Sequence, residues 1–370
     1  MPGRCGGKAS YRPGGGAGGA SGRVPAGLDT VRRAAHGGAM RIGLIGTGRI
    51  GSFHAGALAR HPGVGALVVT DADPARAAAV AAAVGAQTAP DVPALLGRGL
   101  DAVVIASATA AHAELIGRAA RAGLPAFCEK PIALDVPGTL AALAAVAEAG
   151  TELQLGFMRR FDAGYRAARE AVRAGRLGRL HTVRTATSDP EPPPAAYLPL
   201  SGGLFRDCMV HDVDIVRWVT GREVVEVYAT GSDAGPAMFR EAGDVDTAAA
   251  LLTLDDGTLV TATATRCNGA GYDVRMELAG DRDQLAVGLD ERTPLTSLEP
   301  HSPAPPPKPW PGFLERFAPA YEAELDAFVR LVRGEAPNPC DGREALAALR
   351  VADACERSRR EHRPVRVGDA

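Results

Sequence analysis

The segment Gly46-Thr47-Gly48-Arg49-Ile50-Gly51 constrains this chain more than any other. It follows a short apolar run, 41–45 (RIGLI), and opens a stretch of helical character that reaches about Arg60. A G-x-G-x-x-G motif is a weak signal alone. Between a strand and a helix it predicts the first βαβ unit of a dinucleotide-binding sheet. Gly46 permits the tight turn, Gly48 lets a pyrophosphate approach the backbone, and Gly51 lets the helix pack on the strand. The phosphates then meet a helix N-terminus, where free N–H groups and the helix dipole favour negative charge. Asp71 ends the second expected strand, twenty residues past Gly51. A carboxylate there hydrogen-bonds the adenosine ribose and repels a 2′-phosphate, which favours NAD over NADP. Arg76 would soften that preference, and Asp-Ala-Asp-Pro is also turn chemistry.

Strands at 41–45, 66–70, 101–106, 125–128 and 152–157 alternate with helices near 74–84, 110–122 and 136–149. This rhythm predicts a doubly wound parallel sheet covered on both faces, a Rossmann domain over 40–157. Beyond Met158 the rhythm changes. A helix at 161–174 and a strand at 180–188 precede a proline-rich loop and a helix at 205–219. Four β-like runs follow, at 223–230, 247–254, 258–266 and 273–279. Successive strands without intervening helices predict an open, mostly antiparallel sheet in an α+β domain over 158–370, closed by helices at 317–333 and 343–360.

Composition excludes several functions. The formal net charge is −2, without the basic excess of a nucleic-acid binder. No apolar run reaches the ~18 residues of a membrane span. The six cysteines are scattered, with no C-x-x-C pair, so neither a zinc site nor a disulfide framework is expected. A reducing, cytoplasmic setting suits them. Residues 1–39 are Gly-rich and carry six Arg and Lys against one acid, Asp29. They are expected to be a disordered extension, or to lie upstream of a true start at Met40.

Three further features carry chemistry. Glu129-Lys130-Pro131 ends a parallel strand, where ligands of open α/β sheets bind. It is either a site lysine or a surface lysine held by its neighbour. Asp207, His211 and Asp214 fall at i, i+4 and i+7, one polar stripe if the segment is α-helical, with Met209, Val213 and Val216 turned to the core. A carboxylate one turn from a histidine orients it and raises its pKa, which suits general acid–base work. Arg159 and Arg160, at the domain crossover, either bind substrate or pin the domains together by salt bridges. His54 reads as a helix-face residue and His112 as a lining of the cofactor cleft.

Taken together, MRIGLIGTGRIG, CEKP, GFMRRFD and SGGLFRDCMVHDVD resemble the glucose–fructose oxidoreductase, inositol dehydrogenase and rhizopine-catabolism family. The likeness runs from Met40 almost to the end. GFMRRFD and GGLFRD-x-x-x-HD are most similar to its inositol 2-dehydrogenase branch. The resemblance implies NAD bound by residues 46–51, Asp71, Ser107, Glu129 and Lys130. It implies catalysis by Lys130, Asp207 and His211, with the histidine as general acid/base and the aspartate tuning it or binding substrate. It implies substrate contacts from Arg159, Cys208 and Tyr272, where Cys208 replaces the Met or Thr common in relatives. The implied reaction oxidises a secondary alcohol of a cyclic polyol, without a metal, in a homo-oligomer, dimer or tetramer. Two rivals are a sugar or amino-sugar dehydrogenase and a non-catalytic sensor of dinucleotide or sugar.

Overall fold

The structure is a computed structural model and describes residues 38–302, 304 and 308–368. Nearly all of the extension expected over 1–39 lies outside the described residues. The N-terminal elements are β1 (Met40–Ile45), α1 (Arg49–Arg60), β2 (Val64–Thr70), α2 (Pro74–Val84), β3 (Gln87–Thr88), α3 (Val92–Leu96), β4 (Ala102–Ile105), α4 (His112–Arg121), β5 (Ala126–Glu129), α5 (Val136–Ala149) and β6 (Leu153–Gly156). The six strands are parallel in the order β3-β2-β1-β4-β5-β6. The strand order reverses between β1 and β4, and ligands of such sheets sit at that crevice. Burial on both faces explains why β4 reads as an unbroken apolar run. The short pair β3 and α3 was not expected, because two residues of strand carry no periodicity.

Local chemistry starts and stops the helices. Asp73 and Asp135 cap α2 and α5, each with a proline in the first turn, and Gly85 and Gly150 end them in the left-handed region. Such N-caps stabilise by ~1 kcal/mol each.

The second half comprises α6 (Ala163–Arg173), β7 (Leu180–Ser188), α7 (Val210–Thr220), β8 (Val224–Ser232), β9 (Thr247–Leu254), β10 (Leu259–Thr265), β11 (Asp273–Gly280), β12 (Gln284–Val287), α8 (Phe313–Val332), α9 (Gly342–Glu361) and β13 (Val365–Arg366). Its strands form one sheet, β12-β11-β7-β10-β9-β8-β13, antiparallel except for β7 with β10. Helices α6, α7 and α9 lie in its core. The opposite face of β9 and β10 is exposed at alternate residues. Among the described residues no helix is long and apolar enough to cross a membrane.

Helix α8 returns to the first sheet. Leu325, Phe328 and Val329 join Met40, Leu44, Leu58, Val104 and Phe127 in one buried cluster. The Phe127 and Phe328 rings lie 5.9 Å apart. The Rossmann sheet is therefore covered in part by a helix that the sequence reading assigned to the second domain. Hydrophobic periodicity marks the buried face of α8, yet it cannot say which sheet buries it. Phe328→Ala should destabilise the chain by about 3–5 kcal/mol, the usual cost of truncating a buried aromatic. Denaturant unfolding with an unchanged midpoint would contradict this joint.

Candidate active site

The C-terminal ends of β1, β2 and β4 are level, because Ile45 pairs with both Thr70 and Ile105. This sets Gly46, Asp71 and Ser107 side by side. A Cβ on Gly46 (φ 95°) would lie 2.6 Å from the Ala106 and Ser107 backbone, and one on Gly51 would lie 2.1 Å from the Gly46 oxygen. A Cβ on Gly48 would meet nothing within 4 Å, leaving open space before its backbone. The three glycines thus serve the turn, the helix–strand contact and the ligand approach. Thr47 donates to Asp71 Oδ2 through its N–H (2.6 Å) and its Oγ1 (3.0 Å), and the Asp73 N–H donates to Oδ1. Burial opposes its charge, but these bonds and Arg76 outweigh it and hold the Asp71 carboxyl below its usual value. Asp71 is therefore both a turn residue and a fixed anion beside the phosphate loop. The Arg49 guanidinium lies over the Phe313 ring, and Ile50 packs against the core.

Lys130 and Asp207 meet across the two domains. Lys130 Nζ donates to Asp207 Oδ1 at 2.9 Å and to its carbonyl oxygen at 2.7 Å. Tyr197 also donates to Oδ1, and Arg266 Nη2 donates to Oδ2 at 2.6 Å. Arg266 reaches Asp189 at 3.5 Å as well. Burial opposes both charges. Lys130 and Arg266 outweigh it and hold the Asp207 carboxyl far below the carboxylate range, while Asp207 raises the Lys130 ammonium. Burial and Asp207 push the Tyr197 phenol up to about 12.

One expectation is corrected here. Asp207, His211 and Asp214 do not form one stripe, and Asp207 does not hydrogen-bond His211. Residues Phe205–Met209 form a π-helical turn ahead of α7, and its wider winding breaks the i, i+4 phase. Asp214 is buried, and both its oxygens accept from Arg160, at 2.6 and 2.9 Å. The His211 ring packs edge-on against Phe157, and its buried Nδ1 has no partner. Its pKa is lowered rather than raised. Burial leads, Lys130 and Arg159 add to it, and Asp207 opposes them only weakly. These causes together favour the neutral imidazole. Met209, Val213 and Val216 enter the core, as the pattern implied.

The crossover arginines both enter buried ion pairs. Buried Arg159 donates to Asp212 Oδ1 (2.8 Å) and to Thr187 Oγ1 (2.9 Å), which ties residue 159 to α7 and β7. Arg160 spans Asp214 and Glu344. The polar N–H groups of Arg159 that have partners are therefore committed to protein; its Nε has none. Cys208 is buried with its thiol 3.7 Å from Asp189 Oδ2. Burial pushes that thiol well up, and it pushes the buried Tyr272 hydroxyl up too, with Arg159, Asp189 and Cys208 as electrostatic neighbours.

Glu129, beside Lys130, turns to His54, with Oε1 2.6 Å from Nε2. Glu324 from α8 completes a buried group whose donor atoms lie within 4.8 Å. Burial and Glu129 keep the Glu324 carboxyl protonated well above its usual range. His54 is thus an interior residue rather than one on a free helix face. His112 is also interior, between the carbonyls of Ser107 (3.0 Å) and Pro131 (2.7 Å). Sequence reasoning missed Asp189, Tyr197 and Arg266. Asp189 and Arg266 directly follow β7 and β10, and acids or bases at strand ends were the available signal.

A phosphate cradle joined to a lysine–aspartate–histidine junction defines a two-domain, dinucleotide-dependent oxidoreductase. Residues 40–157 match the family model described as oxidoreductase family, NAD-binding Rossmann fold, and residues 165–286 match the GFO/IDH/MocA C-terminal domain. The chain belongs to this GFO/IDH/MocA family of dehydrogenases. It is 41% identical to a myo-inositol dehydrogenase, Hyg17, of Streptomyces leeuwenhoekii, over 86% of this chain and 97% of the relative. It is 36% identical to the inositol 2-dehydrogenase of Rhizobium meliloti, over 89% and 99%. A solved scyllo-inositol dehydrogenase from Lactobacillus casei, with NAD(H) and scyllo-inositol bound, is similar at a TM-score of 0.81 and 30% identity. That match covers 89% of this chain and 99% of the other. The glycine cradle and the open space before Gly48 fit a dinucleotide.

Asp71 generates a test of cofactor choice. A charge pair at ~4 Å is worth about 1–4 kcal/mol between aqueous and protein-surface dielectrics. Asp71→Ser should therefore raise the NADP-to-NAD ratio of kcat/KM by roughly tenfold or more. An unchanged ratio would remove Asp71 from cofactor selection.

Proposed function

We propose that this chain is an NAD-dependent inositol dehydrogenase that oxidises one secondary alcohol of a cyclic polyol to a ketone. The observation that carries this reading is the Lys130–Asp207 pair, held across the domains beside a neutral His211. NAD held by the glycine cradle would supply the hydride acceptor for the carbinol carbon. The protein's own residues manage the proton and the charge. His211 takes the hydroxyl proton at Nε2, since its Nδ1 is buried. The Lys130 ammonium donates a hydrogen bond to the reacting oxygen and stabilises its developing negative charge. Asp207 fixes that ammonium and keeps it charged. Asp189, Cys208 and Tyr272 line the same junction and offer polar contacts to further hydroxyls. Arg159 shapes the site through Asp212 and lowers the proton affinity of His211.

The inositol relatives, similar over nearly their whole length, support the substrate class. The test is NADH absorbance on mixing enzyme and NAD with inositol isomers, aldoses and amino-cyclitols. Turnover of aldoses or amino-cyclitols alone would favour a sugar or amino-sugar dehydrogenase. Lys130→Ala and His211→Ala should each lower kcat by ~10²–10⁴-fold in folded protein, the usual worth of such groups. Near-normal turnover in either would end the assignment. A neutral His211 also sets the pH profile. Its lowered pKa keeps the base available below pH 6.5, so the acid limb of alcohol oxidation should fall below that value. A limb above pH 6.5 that His211→Gln removes would contradict the neutral base.

The open face of the second sheet supports a homo-oligomer. Val225, Tyr228, Leu251 and Leu259 are each more than 40% exposed there, and Tyr228 pairs with Leu251 in register. Exposed apolar side chains set among the threonines of this face are what such an assembly would bury. Leu251→Arg should reduce the assembly to smaller species by light scattering, and an unchanged mass would place the interface elsewhere.

A further inference from the structure

Arg266 directly follows β10, and Asp189 directly follows β7. The two strands run parallel, with Thr265 opposite Ser188, so both residues leave the sheet at one level. The Asp189 N–H donates to the Thr265 carbonyl, which locks that level. The Arg266 guanidinium is buried, 4% exposed, and spans Asp207 Oδ2 (2.6 Å) and Asp189 Oδ2 (3.5 Å). Burying such a cation is costly unless it is paired, and breaking the pair leaves an uncompensated charge.

Asp207 needs an outside anchor. It lies in the π-helical turn, one turn ahead of the regular ladder of α7. Lys130 and Tyr197 both donate to Oδ1, and Arg266 is the described partner of Oδ2. Without Arg266 the second oxygen would be an unpaired anion near His211, able to rotate onto Lys130 or to hold the imidazole's proton.

We propose that Arg266 is a positioning residue of this site, acting through Asp207. It holds one carboxylate oxygen, so that the other stays on the Lys130 ammonium and neither competes for the proton at His211. Its second contact, to Asp189, fixes the guanidinium plane, a fork that one ammonium cannot reproduce. The proposal rests on reading Lys130, Asp207 and His211 as the reacting site.

The test is a double-mutant cycle of Arg266→Met and Asp207→Asn, read as kcat and KM for inositol, with NADH affinity by fluorescence. Displacing a catalytic group by about 1 Å costs ~10²-fold. Arg266→Met should lower kcat by about that factor, with NADH affinity within about threefold. In the Asp207→Asn background the same substitution should cost less than about threefold, because coupled residues lose the same function once. Arg266→Lys should recover part of kcat, and it carries the same cycle if the methionine variant does not fold. Equal losses in both backgrounds, or wild-type kcat in a folded Arg266 variant, would overturn the proposal. Full activity of Asp207→Asn alone would overturn the site reading beneath it, which separates the two failures.

Discussion

The 2.9 Å contact between Lys130 and Asp207 joins the two halves of the molecule at the point where chemistry is possible. Lys130 stands at the carboxyl end of a parallel strand, and Asp207 stands in a π-helical turn of the other domain. Burial opposes the charge of each. Together they keep both charges, and on the proposed reading a fixed ammonium shielded from water is worth far more to a developing alkoxide than one in water. Burial first, then the same ammonium and Arg159, lower the His211 pKa.

That contact depends on how rigidly the domains meet. Arg159 and Arg160 leave the last Rossmann strand and enter buried ion pairs with Asp212 and Asp214 on α7. Removing one partner of such a pair typically costs ~3–5 kcal/mol, so the crossover is held in one geometry. Helix α8 works from the other side, packing Phe328 beneath the first sheet and bringing Glu324 to Glu129 and His54. The strand end that carries Lys130 is thus braced from α1, α7 and α8 at once.

Much of the fold was legible. The βαβ rhythm, the change of rhythm after Met158 and the helix at Val136–Ala149 came through because periodicity and aspartate caps are local signals. The glycine roles came through because a turn, a close packing contact and an open approach each forbid or tolerate a Cβ for local reasons. The stripe of Asp207, His211 and Asp214 did not survive, because a π-helical turn changes the phase without leaving a sequence mark. Arg159 and Arg160 carried two readings from sequence, and their ion pairs with Asp212 and Asp214 depend on packing that the sequence does not display. Arg266 and Asp189 went unread because their pairing comes from a parallel register between strands, and the two residues are 77 apart in sequence.

What the sequence determined by itself is the class of fold and the cofactor cradle, along with Lys130, Asp207 and His211 as candidates. These follow from interactions within a turn, a helix or one βαβ unit. Tertiary structure alone decided who partners whom: Asp207 with Lys130 and Arg266, Arg159 with Asp212, Glu129 with His54. It also decided that the His211 pKa moves down, since a buried pKa reflects desolvation and the charges brought close by folding. Residue type is written along the chain, but electrostatic environment depends on distance, and only the packed structure supplies distance.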